Sequence, residues 1–106
     1  MKDIVLCSDE GLAVRLGDGP VMSLPWSEVH RVHAYRLDAA HSQPVILGVE
    51  DDGGNTVEIH DSVDGWPDLV GRVAQLAGCS PQSMAERIGQ LPAQGPHEIL
   101  FSAPAP

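Results

Sequence analysis

Positive charge is scarce in this chain. Six lysine and arginine residues stand against 15 aspartate and glutamate residues, a formal net charge of -9 over 106 residues. Nucleic-acid binding needs a basic footprint that displaces counterions, so the composition argues against DNA and RNA. It argues equally against adhesion to an anionic membrane, where clusters of lysine and arginine are required. Long apolar runs are missing too, and none approaches the roughly 20 residues that span a bilayer. Aromatics are few: Trp26, Tyr35, Trp66 and Phe101. The core must therefore be built from valine, leucine, isoleucine and alanine. The two cysteines, Cys7 and Cys79, lie far apart and form no CxxC pair. Met1-Lys2-Asp3-Ile4 runs straight into a strand-like segment without the apolar stretch of a secretory signal. The expected compartment is a reducing cytoplasm with both thiols free.

What is present reads as strands first and helices afterwards. Asp3–Cys7 is apolar and β-branched, and Asp9-Glu10-Gly11 marks a turn. Leu12, Val14 and Leu16 then alternate with Ala13 and Arg15. A second turn, Gly17-Asp18-Gly19-Pro20, leads to a short strand, Val21–Leu24. Pro25 sets a bend, and Trp26 and Val29 share the spacing of one helical turn, so both are expected inside. The following strand, about Arg31 to Leu37, has an ambiguous face. Val32 and Ala34 compete there with Tyr35 and Leu37. Val45–Glu50 and Thr56–His60 alternate on either side of Asp51-Asp52-Gly53-Gly54-Asn55, a strong hairpin signal.

The period then changes. Pro67 and Asp68 suit a helix start, and Leu69, Val70, Val73, Leu76 and Ala77 form an apolar stripe that Gly78 ends. Ser80-Pro81 opens a shorter helix with Met84, Ile88 and Leu91 on one face. A Pro- and Gly-rich link leads to a last extended piece, Glu98–Ser102. These elements predict an α+β fold: a bent antiparallel sheet or partly open barrel of about six strands, a packing helix and a second short helix.

Several of these segments resemble a group of small bacterial proteins with a pleckstrin-homology-like fold. The resemblance is carried by the Gly11-Leu12 step, Leu24-Pro25-Trp26-Ser27-Glu28-Val29-His30-Arg31-Val32, Tyr35-Arg36-Leu37-Asp38, and Val63-Asp64-Gly65-Trp66 opening a helix. It covers about Ile4 to Gly78. It implies a pleckstrin-homology-like fold with no catalytic motif; the second helix and the terminal extended segment are additions to that pattern, a single domain is expected over 1–102, and the Ala103-Pro104-Ala105-Pro106 tail is expected to be flexible. The sequence departs from that pattern where a phosphoinositide-binding loop would be basic, because Cys7–Gly11 is acidic.

The histidines are the most chemically suggestive residues: His30, His33, His41, His60 and His97. His30, His33, Glu58 and His60 are the candidate metal ligands. Residues three apart on a strand face opposite sides, so His30 and His33 converge only across a bulge. No H-E-x-x-H, no G-x-S-x-G elbow and no phosphate loop occurs, and no cofactor is expected. Trp66 is the candidate interaction residue if it is exposed. The function these features favour is a non-catalytic protein-interaction module. Its partner would be a basic protein, in the manner of an immunity or inhibitor protein, docked on a strand edge beside the helix. The alternatives are a small His/Glu metal-binding enzyme or sensor, and a self-associating structural domain.

Overall fold

The computed structural model describes residues 3–37 and 43–104. The loop histidine His41, the first two residues and the last two of the expected tail lie outside the described residues. The elements are β1 (Ile4–Cys7), β2 (Gly11–Arg15), β3 (Met22–Pro25), a 3-10 turn (Trp26–Glu28), β4 (Val29–Arg36), β5 (Val45–Asp51), β6 (Thr56–His60), α1 (Trp66–Ala77), α2 (Pro81–Gly89) and β7 (Glu98–Ser102). The fold is α+β with antiparallel pairing, as the change of period implies.

The strands do not form one bent sheet. They divide into a three-stranded sheet, β1-β2-β3, and a four-stranded sheet, β6-β5-β4-β7, and neither closes into a barrel. Pro25 and the 3-10 turn explain the division. They re-aim the chain, so that β3 and β4, adjacent in sequence, belong to different sheets. The count rises to seven because Glu98–Ser102 pairs with β4 on the side opposite β5.

The two sheets and both helices enclose one core. Val5, Leu12, Val14 and Leu24 come from the smaller sheet, and Val32, Ala34, Val45, Leu47, Val49, Ile59 and Leu100 from the larger. The ambiguous face of β4 is thereby settled: Val32 and Ala34 point inward, His33 and Tyr35 outward. Helix α1 contributes Leu69, Val70, Val73 and Ala74, and α2 contributes Met84 and Ile88. Gly78, in the left-handed region at φ 76°, ends α1 and donates its N–H to carbonyls of the last turn. Ser80 caps α2 by accepting the Ser83 N–H at 3.0 Å.

Helix α1 packs against β1 and β7 and so fills one open side between the sheets. A depression of about 550 Å³ remains between the end of β1 and the helices, lined by Cys7, Pro67, Asp68, Gly71, Arg72, Gln75 and Pro81. The side between β3 and β6 carries no helix among the described residues. Among the described residues, no helix is long and apolar enough to cross a membrane.

Candidate interaction surface

The outer face of the four-stranded sheet gathers His33 and Glu58. Cross-strand pairing sets His33 opposite Gly48, and Gly48 opposite Glu58. Gly48 is required there. A Cβ at that position would lie 2.3 Å from His33 Nε2, so the imidazole lies across the glycine. His97, immediately before β7, stacks on both neighbours in β4. Its ring centroid lies 5.0 Å from that of His33 and 4.1 Å from that of Tyr35, with interplanar angles of 20° and 4°. The Tyr35 hydroxyl donates to Glu58 Oε2. Partial burial, and next the nearby His97, hold His33 below the ordinary histidine value. The hydrogen bond to Glu58 is the largest influence raising Tyr35 above the ordinary tyrosine value.

The remaining histidine candidates go elsewhere. His60 is held between two oxygens, Asp3 Oδ2 on Nε2 and Ser62 Oγ on Nδ1, each at 2.5 Å. Asp3 also accepts the Gly17 N–H at 2.6 Å. The carboxylate thus ties the start of β1 to the end of β6 and the turn after β2. The bond to His60, then that to Gly17, holds Asp3 below the ordinary carboxylate value. His30 falls at the register shift between Val29 and Arg31, and its carbonyl accepts the Ala103 N–H at 2.8 Å. Among the described residues, no group of three or more His, Cys, Asp or Glu side chains is placed to hold a metal ion.

Trp66 begins α1 and is half-buried against the core. Trp26 departs from the expectation of burial. Its indole Nε1 donates to the Ser8 carbonyl at 2.7 Å, which holds the ring at the surface, half-buried beside the core. The bond satisfies an N–H that full burial would strand. Cys7 and Cys79 are free and half-buried, and burial raises the Cys7 thiol above its ordinary value. An electropositive, thiolate-favouring setting is the opposite of this.

Around Trp26 the fold collects negative charge from distant segments. The Trp26 N–H donates to Glu10 O at 3.0 Å, and the Asp52 N–H to Glu28 O at 3.1 Å. Those bonds draw together the β1–β2 turn with Asp9 and Glu10, the 3-10 turn with Glu28, and the β5–β6 hairpin with Asp51 and Asp52. Asp51 accepts from Asn55 N–H, Asn55 Nδ2 and Gly53 N–H, which holds its carboxyl below the ordinary value. A shallow depression of about 170 Å³ opens beside the indole, lined by Asp9, Trp26, Arg72, Gln75 and Leu76.

Three of the arginines are held by acceptors on other elements. Arg36 donates to the carbonyls of Leu91, Ile88 and Gln43, Arg87 pairs with Glu98 at 3.0 Å, and Arg72 pairs with Asp9 at 2.7 Å. Of these, only Arg72 reaches the acidic end, where it offsets one of five carboxylates. Nothing in the sequence brings the turns of Glu10, Glu28 and Asp52 together, because backbone bonds of Glu10 to Trp26 and of Glu28 to Asp52 join them across long stretches of chain. His97 was likewise hidden, since its stacking depends on β7 joining β4.

Fold and surface together define the class: an acidic α+β domain of two open antiparallel sheets with a helix packed along one side. No family model matches the chain, and neither the curated proteins nor the solved structures include a match to it.

Proposed function

We propose that this chain is a non-catalytic protein-interaction domain of pleckstrin-homology-like type whose partner is a basic protein. The observation that carries the reading is the joining, by backbone bonds, of the turns that bear Asp9, Glu10, Glu28, Asp51 and Asp52 at the end of the molecule where Trp26 is half-exposed. A half-exposed tryptophan supplies contact area at small entropic cost, and the surrounding carboxylates steer a cationic partner and select against an anionic one. Nucleic acid and anionic membranes are disfavoured for the same reason. Arg36, Arg72 and Arg87 are pinned to acceptors on different elements and do not pool into a phosphate-binding face.

Titration of the isotope-labelled protein with oligolysine tests this reading. The amides of Glu10, Trp26, Glu28 and Asp52 should shift, and the shifts should collapse in high salt, because exposed charges are screened beyond a Debye length of about 3 Å at 1 M. Vesicles containing phosphoinositides should leave the spectrum unchanged. Salt-sensitive binding to those vesicles, with no response to oligolysine, would overturn the proposal.

A further inference from the structure

Two sheets leave four strand edges, those of β1, β3, β6 and β7. An unpaired edge is a row of unmet N–H and C=O groups, and proteins block such edges with loops, charges, prolines or short strands. The β1 edge is taken. Val5 N–H donates to Asp64 O at 2.8 Å, and Asp64 N–H to Asp3 O at 3.1 Å. On the β7 edge, Arg87 Nη2 donates to Ile99 O at 3.3 Å while Glu98 holds the same guanidinium. The β3 edge is four residues long and bracketed by Pro20 and Pro25. The β6 edge, Thr56–His60, has five residues and no proline.

The hairpin sets the phase of β6. Asp51 N–H donates to Asn55 O at 2.9 Å, and Asp61 N–H to Val45 O at 3.0 Å. Antiparallel pairs alternate between bonded and non-bonded. With Asn55 and Asp61 in bonded pairs, Val57 and Ile59 are bonded to β5 as well. The backbone groups of Thr56, Glu58 and His60 therefore face away from the sheet, and the His60 carbonyl is met by the Val63 N–H at 3.1 Å. That side of the molecule holds a cleft of about 160 Å³ between the two sheets, lined among others by Met22, Leu24, Val49 and Val57, with Asp51 at one end. Its walls are largely aliphatic, Asp51 is the carboxylate in its lining, and Glu58 stands on the outer face of the same edge strand.

We propose that β6 is a docking edge for an extended segment of a partner protein in which basic and aliphatic residues alternate. The segment pairs with the outward groups of Thr56 and Glu58 and the outward N–H of His60 as an added strand. Because strand side chains alternate, its aliphatic residues enter the cleft between Val57 and Met22 while its lysines or arginines meet Glu58 on the outer face. This inference rests on the reading of the chain as a receptor for a basic protein.

The test is a nuclear magnetic resonance titration of the full chain with a capped peptide of alternating lysine and valine. Oligolysine and an alternating glutamate–valine peptide serve as comparisons. The lysine–valine peptide should shift the Thr56, Glu58 and His60 amides and the methyl signals of Val57 and Met22, and slow hydrogen exchange at those three amides. The glutamate–valine peptide should shift none of them. Thr56→Pro removes one outward N–H at the first residue of an edge strand, where proline is tolerated, and should weaken binding about tenfold while preserving the hairpin. Met22→Ser, at a position 39% exposed, should weaken it by removing a cleft wall. Shifts from the lysine–valine peptide confined to the acidic end around Trp26 would overturn the docking edge and leave the basic-partner reading standing. Failure of every basic peptide to bind would overturn both. Dimerisation that protects the β6 amides without peptide would assign the edge to a second copy and overturn the proposal.

Discussion

The two open sides between the sheets are finished differently. On the β1–β7 side, α1 fills the gap, the Asp64 backbone caps β1 and Arg87 caps β7. On the β3–β6 side there is a cleft and, among the described residues, no helix, and the five-residue edge is capped at the His60 carbonyl alone. Connectivity explains the asymmetry. After β6 the chain must return to pair β7 with β4, at the opposite margin of the larger sheet, and α1 and α2 lie along that route. The capping residues are therefore all delivered to one side. The difference teaches that binding surface in this molecule is to be sought where the chain does not return.

The sharpest way to break the comparison is Gly65→Ala. Gly65 sits at φ 95°, and an added Cβ would lie 2.1 Å from the Val5 carbonyl oxygen. The substitution should cost about 3 kcal/mol or more, combining left-handed backbone strain with a backbone clash. Urea denaturation measures it. A loss below about 1 kcal/mol, the size of an ordinary surface effect, would mean that the closed side is no tighter than the open one. Trp26→Ala should cost less, about 2 kcal/mol, because the ring is half-exposed, against the roughly 3–5 kcal/mol of a fully buried aromatic. A thermal melt reads the stability, and the oligolysine titration reads the lost contact.

Arg87→Ala should cost under about 1 kcal/mol globally, since both members of its pair with Glu98 remain partly exposed to solvent. Amide exchange in β7 should nevertheless quicken while that in β6 is unchanged. Uniform quickening in both strands would erase the distinction between a capped and a largely uncapped edge.

The smallest effect is the titration of His33. Its folded value is lowered, so the folded state favours the neutral ring. Its contribution to stability is complete above the ordinary value of 6.5 and is lost as the pH falls through the lower folded value. Glu50 and Glu58 oppose the shift, while His97 and Arg31 add to it. Gly48→Ala, which pushes the imidazole off the sheet, should move His33 back toward 6.5 in a proton titration. No movement would show that the ring is not seated on Gly48.

Much of the local architecture was legible beforehand. The Asp51–Asn55 turn, the apolar stripe of α1 and its stop at Gly78 depend on residues close in sequence, and the structure has them there. The candidate ligands were less legible. His33 and Glu58 do share a face, but through Tyr35 and His97, while His60 turns to Asp3 and Ser62. Pairing between β7 and β4 decides the first of these arrangements, and contact between β1 and the end of β6 decides the second.

By itself, then, the sequence determined what short-range physics controls: the turns, the helix limits, the apolar sides of β5 and β6, and a net charge of -9. Tertiary structure alone decided the division into two sheets, the surface position of Trp26 and the meeting of Glu10, Glu28 and Asp52. It also decided which edge stays largely uncapped. Each of these depends on hydrogen bonds and packing between segments separated by long stretches of chain, and periodicity along a single segment carries no information about its neighbours.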